Sequence, residues 1–315
     1  MRSDLSRSGQ ASARALPLNH LLLAVVITAI WGTNFAVIRV GLREFPPLLF
    51  ATLRFAFVFF PACFFVHRPE VRWRNLIAYG AIVGGGQFGL LYVGMDGHIA
   101  AGLASLVVQS QVFFTIGLSM WFTGERLKPY QGLAVVLAFA GLLLIGLRGG
   151  GDVTALGLAL VIGAGFAWAA GNILLKLSPG ADMLGYVVWS SPFALPPLLL
   201  LSLCMEAPAR AHDAILAADL TGWLALLWQS TGNTLFGFAI WGWLLARHPA
   251  ALIAPTSLLV PVFGMAAAAI WLGESLQPWK IVAAALVIGG LAISVIYPRL
   301  AEYWPRRAAA RSASP

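Results

Sequence analysis

The stretches "FTGERLKPYQG", residues 122–132, and "WLGESLQPWKI", residues 271–281, share the pattern Gly-Glu-x-Leu-x-Pro. The first copy carries Arg126 and Lys128, and the second has Ser275 and Gln277 at the equivalent positions. Glycine can end one helix in a left-handed conformation, proline can begin the next, and the glutamate suits the positive end of that next helix. The pattern therefore predicts one helix-to-helix turn that occurs twice. The turn residues are Gly124, Glu125 and Pro129 in the first copy and Gly273, Glu274 and Pro278 in the second.

The composition is that of a membrane protein. Charged residues make up 10% of the chain and hydrophobic residues 60%, whereas about a quarter of a soluble domain is charged. A membrane-spanning helix needs about 17 to 25 apolar residues, and the chain has ten such runs, some of them longer. The runs are 18–40, 48–67, 75–94, 100–122, 130–147, 153–176, 184–205, 220–246, 250–272 and 279–298. We therefore predict an all-α integral membrane protein of ten transmembrane helices, without a separate soluble domain.

The positive charges indicate orientation. The net charge is +8, and when the tails and connections are assigned alternately to two sides, 14 Lys and Arg fall on the side of the N-terminus and 5 on the other. Cytoplasmic connections carry such an excess, so both termini are predicted to be cytoplasmic. This distribution explains the basic composition without nucleic acid, which we do not expect as a partner.

The likeness between the halves extends beyond the turns. Gly141 and Gly290 lie at equivalent places after the two turns, and "WGTNFAVIR" at 31–39 resembles "WAAGNILLK" at 168–176. Because five helices per copy is an odd number, the second copy is inverted in the membrane, as in many secondary transporters. The predicted parts are a cytoplasmic tail at 1–17, a first repeat at 18–147, a second repeat at 153–298 and a cytoplasmic tail at 299–315.

Several motifs carry a resemblance to a known family. The two turns, "AIWGTNFAVIRVGL" at 29–42, "PPLLFATLRF" at 46–55 and "APTSLLVPVFG" at 254–264 together resemble the EamA family of the drug/metabolite transporter superfamily. Within it the chain is most similar to the bacterial exporters of O-acetylserine and cysteine. The resemblance implies an inner-membrane protein that exports small amino-acid metabolites by alternating access. It also implies a central cavity lined chiefly by helices one, three, four, six, eight and nine.

Other functions remain as alternatives. The chain could be a permease of the same superfamily for a nucleoside, a sugar or a drug, or a membrane sensor or scaffold that transports nothing. An enzyme is not expected, because the sequence has no metal-binding histidine pair, clustered carboxylates or phosphate-binding loop. We predict no cofactor and no metal, with a small-molecule substrate and the lipid bilayer as partners. The oligomeric state is left open, and a monomer is compatible with the sequence.

Polar and aromatic residues within the spans are the candidate substrate-binding residues, because a zwitterion needs protein groups to replace its water. The alternative is that they form hydrogen bonds between helices. The candidates are Trp31 and Asn34 in the first span, Gln87 in the third, Gln109, Gln111, Phe113 and Thr115 in the fourth, Trp168 and Asn172 in the sixth, and Thr256 and Ser257 in the ninth.

Three further residues are candidates for structural or gating roles. Arg54 is a cation inside the second span, where it needs a partner or water. The resemblance favours a structural or gating pair, and a receptor for a carboxylate is the alternative. Pro255 and Pro261 interrupt the ninth span and free backbone carbonyls, so this helix is predicted to be kinked or flexible. No carboxylate lies in the middle of a predicted span to carry a coupling proton.

Overall fold

The structure is a computed structural model that describes residues 17–123, 129–178, 180–248 and 250–312. Gly124 and Glu125 of the first predicted turn lie outside these ranges. The described chain is helical, without a β-strand, and one isolated bridge joins Ile99 to Val153. An all-α protein is therefore confirmed.

Eight helices in the described residues are long and apolar enough to cross a membrane. They are α1 (Leu18–Gly41), α2 (Pro47–Phe64), α3 (Trp73–Met95), α4 (Ala101–Phe122), α5 (Pro129–Arg148), α6 (Ala155–Lys176), α7 (Met183–Met205) and α10 (Pro278–Tyr297). The helix that contains α10 continues to Ser312.

Two more helical segments, α8 and α9, lie at the predicted eighth and ninth spans. The first, α8, covers residues 220–247 as Leu220–Leu227, Trp228–Phe236 and Gly237–Arg247, and its polar middle lowers its hydropathy. The second, α9, covers 250–272. Its apolar helix Thr256–Leu272 is shorter than the eight spans above. Ten membrane crossings require that α8 and α9 also span the membrane. The number ten therefore remains a prediction.

Irregular turns interrupt the same helices in both halves. A nine-residue π-helical segment, Gly80–Phe88, lies within α3, and another, Trp228–Phe236, lies within α8. A 3₁₀ segment, Val108–Ser110, lies within α4, and Ala254–Leu259 lies within α9. Pro255 falls in the latter, and Pro261 is the second residue of the regular helix, Val260–Leu272, that follows it. The regular α-helix is thus interrupted at Pro255, and the structural or gating role of the two prolines stays a prediction.

The second repeat turn has the predicted backbone but a different electrostatic partner. Gly273 ends α9 in the left-handed region with φ 71°, and α10 begins at Pro278. The carboxylate of Glu274 accepts hydrogen bonds from the backbone N–H groups of Ala101 at 2.7 Å and Gly102 at 3.1 Å. Glu274 therefore caps α4, and its assignment to the helix that follows the turn was wrong. The cause is tertiary, because the start of α4 packs beside the end of α9.

The helices α5 and α10 pack closely along each other. A Cβ atom on Gly141 would lie 2.7 Å from Val287 Cγ2 and 3.0 Å from the carbonyl of Ala283. A Cβ atom on Gly290 would lie 2.6 Å from the carbonyl of Ala134. Because later residues of α5 meet earlier residues of α10, the two helices are antiparallel. Glycine at both positions permits the close approach.

Candidate functional site

A buried cavity lies where helices of both halves meet. Its volume is about 100 Å³. Residues of α1, α3, α4, α6, α8 and α9 line it, which is the set that the family resemblance implies, and Arg54 adds α2. Drug-sized ligands occupy pockets of about 300–1,000 Å³, so this cavity suits a small solute.

The wall is mostly apolar and aromatic. Trp31, Trp168, Phe88 and Phe238 are among the lining residues. A few polar side chains from different helices are added to this wall, namely Asn34, Arg54, Gln87 and Asn233. A mainly apolar cavity with a small number of placed polar groups is the usual form of a small-molecule site.

Arg54 is a fully buried cation, with 1% of its surface exposed. Its Nη1 donates to the hydroxyl of Tyr92 at 2.9 Å, and its Nη2 donates to the hydroxyl of Thr234 at 2.9 Å. The guanidinium lies 3.8 Å from the centre of the Phe88 ring, which is a cation–π contact. In the described part of the chain, the ion pairs found are His212 with Asp213 and Lys280 with Asp152, and neither involves Arg54.

A chain of hydrogen bonds links Arg54 to Asn34. The side-chain oxygen of Gln229 accepts from Tyr92 at 3.1 Å and from the Asn34 amide at 3.2 Å. Beside it, the indole N–H of Trp31 donates to the backbone carbonyl of Asn233 at 3.1 Å. The network joins α1, α2, α3 and α8 around the cavity and fixes the rotamers of the polar groups there.

Several buried polar atoms in this region have no hydrogen-bond partner among the residues that the structure describes. They are Asn34 Oδ1, Arg54 Nε, Gln87 Oε1, Ser110 Oγ and Gln229 Nε2. The first three belong to side chains that line the cavity, and each of these side chains is at most 4% exposed. Buried polar groups are normally paired, so the cavity holds unused donors and acceptors that a solute can satisfy.

Four predicted binding residues therefore line the cavity: Trp31, Asn34, Gln87 and Trp168. Tyr92 and Gln229 were not singled out by the sequence reasoning as site residues. Tyr92 has a signal in principle, because a tyrosine hydroxyl in the middle of an apolar span needs a partner. Gln229 lies in the polar stretch 228–236, which the sequence marks as unsuited to lipid but does not position.

A second polar cluster lies between α4 and α6. The amide of Asn172 donates to Gln111 Oε1 at 2.9 Å and to the hydroxyl of Thr115 at 3.1 Å. The Thr115 hydroxyl donates to the backbone carbonyl of Gln111 at 2.7 Å. In this arrangement the three predicted residues bind one another, and they do not line the cavity. Contact with substrate remains a prediction for all three.

The remaining candidates lie along the irregular parts of α4 and α9. Gln109 is buried in the 3₁₀ segment of α4, and Phe113 packs against the main hydrophobic core. The Thr256 hydroxyl donates to the carbonyl of Ile253 in its own helix at 2.7 Å. Ser257 is half-buried in the next position. These residues lie on two of the helices that line the cavity, but their side chains are not among the lining residues.

Comparison with known proteins agrees with this architecture. The family model described as "EamA-like transporter family" matches residues 18–147 and 155–296. The chain belongs to the EamA-like transporter family. It is therefore a multi-pass membrane protein of a transporter family, and the aromatic cavity lies within the two segments that match the EamA model.

Relatives with names cover nearly all of this EamA protein. A "Probable amino-acid metabolite efflux pump" of Salmonella typhimurium is 41% identical over 279 residues, covering 87% of this chain and 93% of the relative. A protein of the same name in Escherichia coli is 39% identical, covering 87% and 94%. A "Probable terminal-alkyne amino-acid exporter" of Streptantibioticus cattleyicolor is 28% identical, covering 88% and 93%.

The fold also has a solved counterpart. A crystal structure superimposes with a TM-score of 0.59 and 19% identity, covering 89% of this chain and 96% of the other. At that identity the likeness concerns the fold alone.

Proposed function

We propose that this EamA protein is an inner-membrane secondary transporter that exports small amino acids or related metabolites, of the cysteine and O-acetylserine kind, by alternating access. The observation that carries the proposal is the small buried cavity with its aromatic wall and unpaired polar atoms. The names of the relatives support the same substrate class, since three of them are named for amino acids or their metabolites.

The transporter is proposed to consist of ten spans in two inverted repeats, at 18–147 and 153–298. Three features support this arrangement. The π-helical and 3₁₀ segments recur in the third and fourth helices of each half. Gly141 and Gly290 make reciprocal contacts across an antiparallel helix pair. Two halves of this kind have equivalent inward- and outward-open packings, which alternating access requires.

The orientation is proposed from charge. With both termini cytoplasmic, 14 Lys and Arg lie on the cytoplasmic side and 5 on the opposite side. Lys280, one of the five, is buried and forms an ion pair with Asp152 at 3.0 Å and a hydrogen bond to the carbonyl of Ser275 at 2.8 Å. The charge of Lys280 is therefore balanced by Asp152, which lies in the connection between α5 and α6.

The solute is proposed to contact Trp31, Asn34, Gln87 and Trp168 directly. The cluster of Gln111, Thr115 and Asn172 is proposed to bind the solute in another state of the cycle, when α4 and α6 separate. The path of the solute through the protein is proposed to include Gln109, Phe113, Thr256 and Ser257. The flexible part of α9 is proposed to contain Pro255 and Pro261.

Counterflow in proteoliposomes tests the function. Purified protein in vesicles preloaded with unlabelled L-cysteine or O-acetyl-L-serine should accumulate the labelled solute, whereas vesicles preloaded with a nucleoside, a sugar or a quaternary amine should not. Asn34→Ala and Asn172→Ala should lower the flux at unchanged membrane abundance, because each removes an amide proposed to contact solute. Ser294→Ala is the control, since that hydroxyl bonds within its own helix.

Three outcomes would contradict the proposal or a part of it. Flux of a nucleoside, sugar or quaternary amine with none of any amino acid would place the protein in another transport class. The absence of all flux from protein that is folded would favour a sensor or scaffold. Normal flux in both asparagine variants would refute the assignment of these amides.

A further inference from the structure

The charge of Arg54 is not balanced within the described residues. Two of its nitrogen atoms bind the neutral hydroxyls of Tyr92 and Thr234, and Nε has no partner. The Phe88 ring offers attraction but no negative charge. A buried cation without a counter-ion is costly in a membrane protein. The site therefore favours an anionic group that approaches from the cavity, which Arg54 itself lines.

The same cavity also contains hydrogen-bond acceptors that suit a cationic group. Asn34 Oδ1 and Gln87 Oε1 are buried, have no partner in the described part of the chain, and belong to side chains that line the cavity. An ammonium group has three donors and no acceptor, so neutral amide oxygens suit it. Asn34 is separated from Arg54 by only Gln229 and Tyr92 in the hydrogen-bond chain. Both types of unpaired group thus lie within one small space.

We propose that Arg54 receives the carboxylate of the transported solute, and that Asn34 and Gln87 receive its ammonium group. The proposal rests on the proposed function and assigns the groups by which the solute is recognised. The remaining wall, with Trp31 and Trp168, is left for a small uncharged side chain. The transporter would thus bind the carboxylate and the ammonium group that all α-amino acids share. It would accept different small side chains.

A purely structural arginine makes a different prediction. Through Tyr92 and Thr234, Arg54 ties α2 to α3 and α8, and this role alone requires only its two terminal nitrogens. With this role alone, the protein should bind solutes with and without a carboxylate equally well. The test therefore measures discrimination between solutes as well as the loss of binding.

The experiment uses calorimetric binding of three thiols to the purified full-length protein under reducing conditions. L-Cysteine has both charged groups, cysteamine lacks the carboxylate, and 3-mercaptopropionate lacks the ammonium. Wild-type protein should bind L-cysteine about tenfold or more tightly than cysteamine, the difference expected for charged hydrogen bonds. In Arg54→Gln this ratio should fall towards one. In Gln87→Leu the preference of L-cysteine over 3-mercaptopropionate should fall instead.

Lys280→Gln is the matched control. Lys280 is also a buried cation, but it is paired with Asp152 and does not line the cavity. Its variant should keep the wild-type ratios. If Arg54→Gln does not fold, Gln87→Leu still tests the proposal through the ammonium end.

The outcomes separate this proposal from the function. If folded Arg54→Gln keeps the preference for L-cysteine over cysteamine while counterflow is intact, the carboxylate assignment is overturned and the export function stands. If 3-mercaptopropionate binds in an Arg54-dependent way and no amino acid is transported, the assignment stands and the function falls. Equal binding of L-cysteine and cysteamine by the wild type overturns the assignment.

Discussion

Arg54 illustrates how a single side chain depends on distant parts of the chain. The sequence marks it because a cation inside an apolar span is rare. Its partners are 38 positions away at Tyr92 and 180 positions away at Thr234. The sequence gives no spacing rule for such contacts. Its network could therefore be located only after α2, α3 and α8 had been packed together.

Replacing Tyr92 by Phe should destabilise the protein. The hydroxyl accepts from Arg54 Nη1 and donates to Gln229 Oε1. Its loss leaves the buried Arg54 Nη1 donor unpaired, at a cost of about 1–3 kcal/mol, whereas Gln229 Oε1 keeps its hydrogen bond from Asn34. Thermal unfolding of the purified variant should show a lower midpoint. Tyr297→Phe is the control, because Tyr297 is half exposed. Equal midpoints for the two variants would mean that the Tyr92 hydroxyl is not a structural link.

The helices show which interruptions a sequence reveals. Pro255 and Pro261 predicted the break in α9, which the structure has as a 3₁₀ segment. The break in α4 at Val108–Ser110 has no proline and was not predicted. The π-helical segments of α3 and α8 were not predicted either, because extra residues in a helical turn are stabilised by packing against neighbours and leave little local signal.

Replacing Glu274 by Gln should weaken the start of α4. The carboxylate accepts from two backbone N–H groups, whereas a glutamine offers one oxygen and turns an NH₂ group towards the second donor. The loss of such a cap costs about 0.5–2 kcal/mol. Exposed Glu70→Gln is the control for the loss of charge alone. Hydrogen exchange at residues 101–104 should increase in the Glu274 variant, and unchanged exchange would refute the capping role.

The molecule as a whole is tied together by the pairing of α5 with α10. These helices come from the two halves and meet through Gly141 and Gly290. The sequence found both glycines as equivalent positions. It could not show that they face each other's helix, because equivalence along the chain says nothing about contact between the copies.

Replacing Gly290 by Ala should separate these helices. A Cβ there would lie 2.6 Å from the carbonyl of Ala134, whereas one on Gly289 meets nothing within 4 Å. We expect Gly290→Ala to lower the unfolding free energy by about 1–3 kcal/mol, and Gly289→Ala to be neutral or stabilising because alanine favours a helix. Gly141→Ala should match Gly290→Ala if the halves are equivalent. A stable Gly290→Ala variant would contradict the close packing.

The apolar runs, the turns and the motifs were enough for the sequence to establish an all-helical membrane protein of the EamA family. They are local patterns, and a bilayer imposes length and hydropathy on each helix separately. The sequence also supplied Trp31, Asn34, Gln87 and Trp168 as cavity candidates. Tertiary structure decided that Gln111 and Asn172 bind each other, that Glu274 caps α4, and that Arg54 lines the cavity with no counter-ion among the described residues. These depend on which faces of distant helices meet, and only packing fixes that.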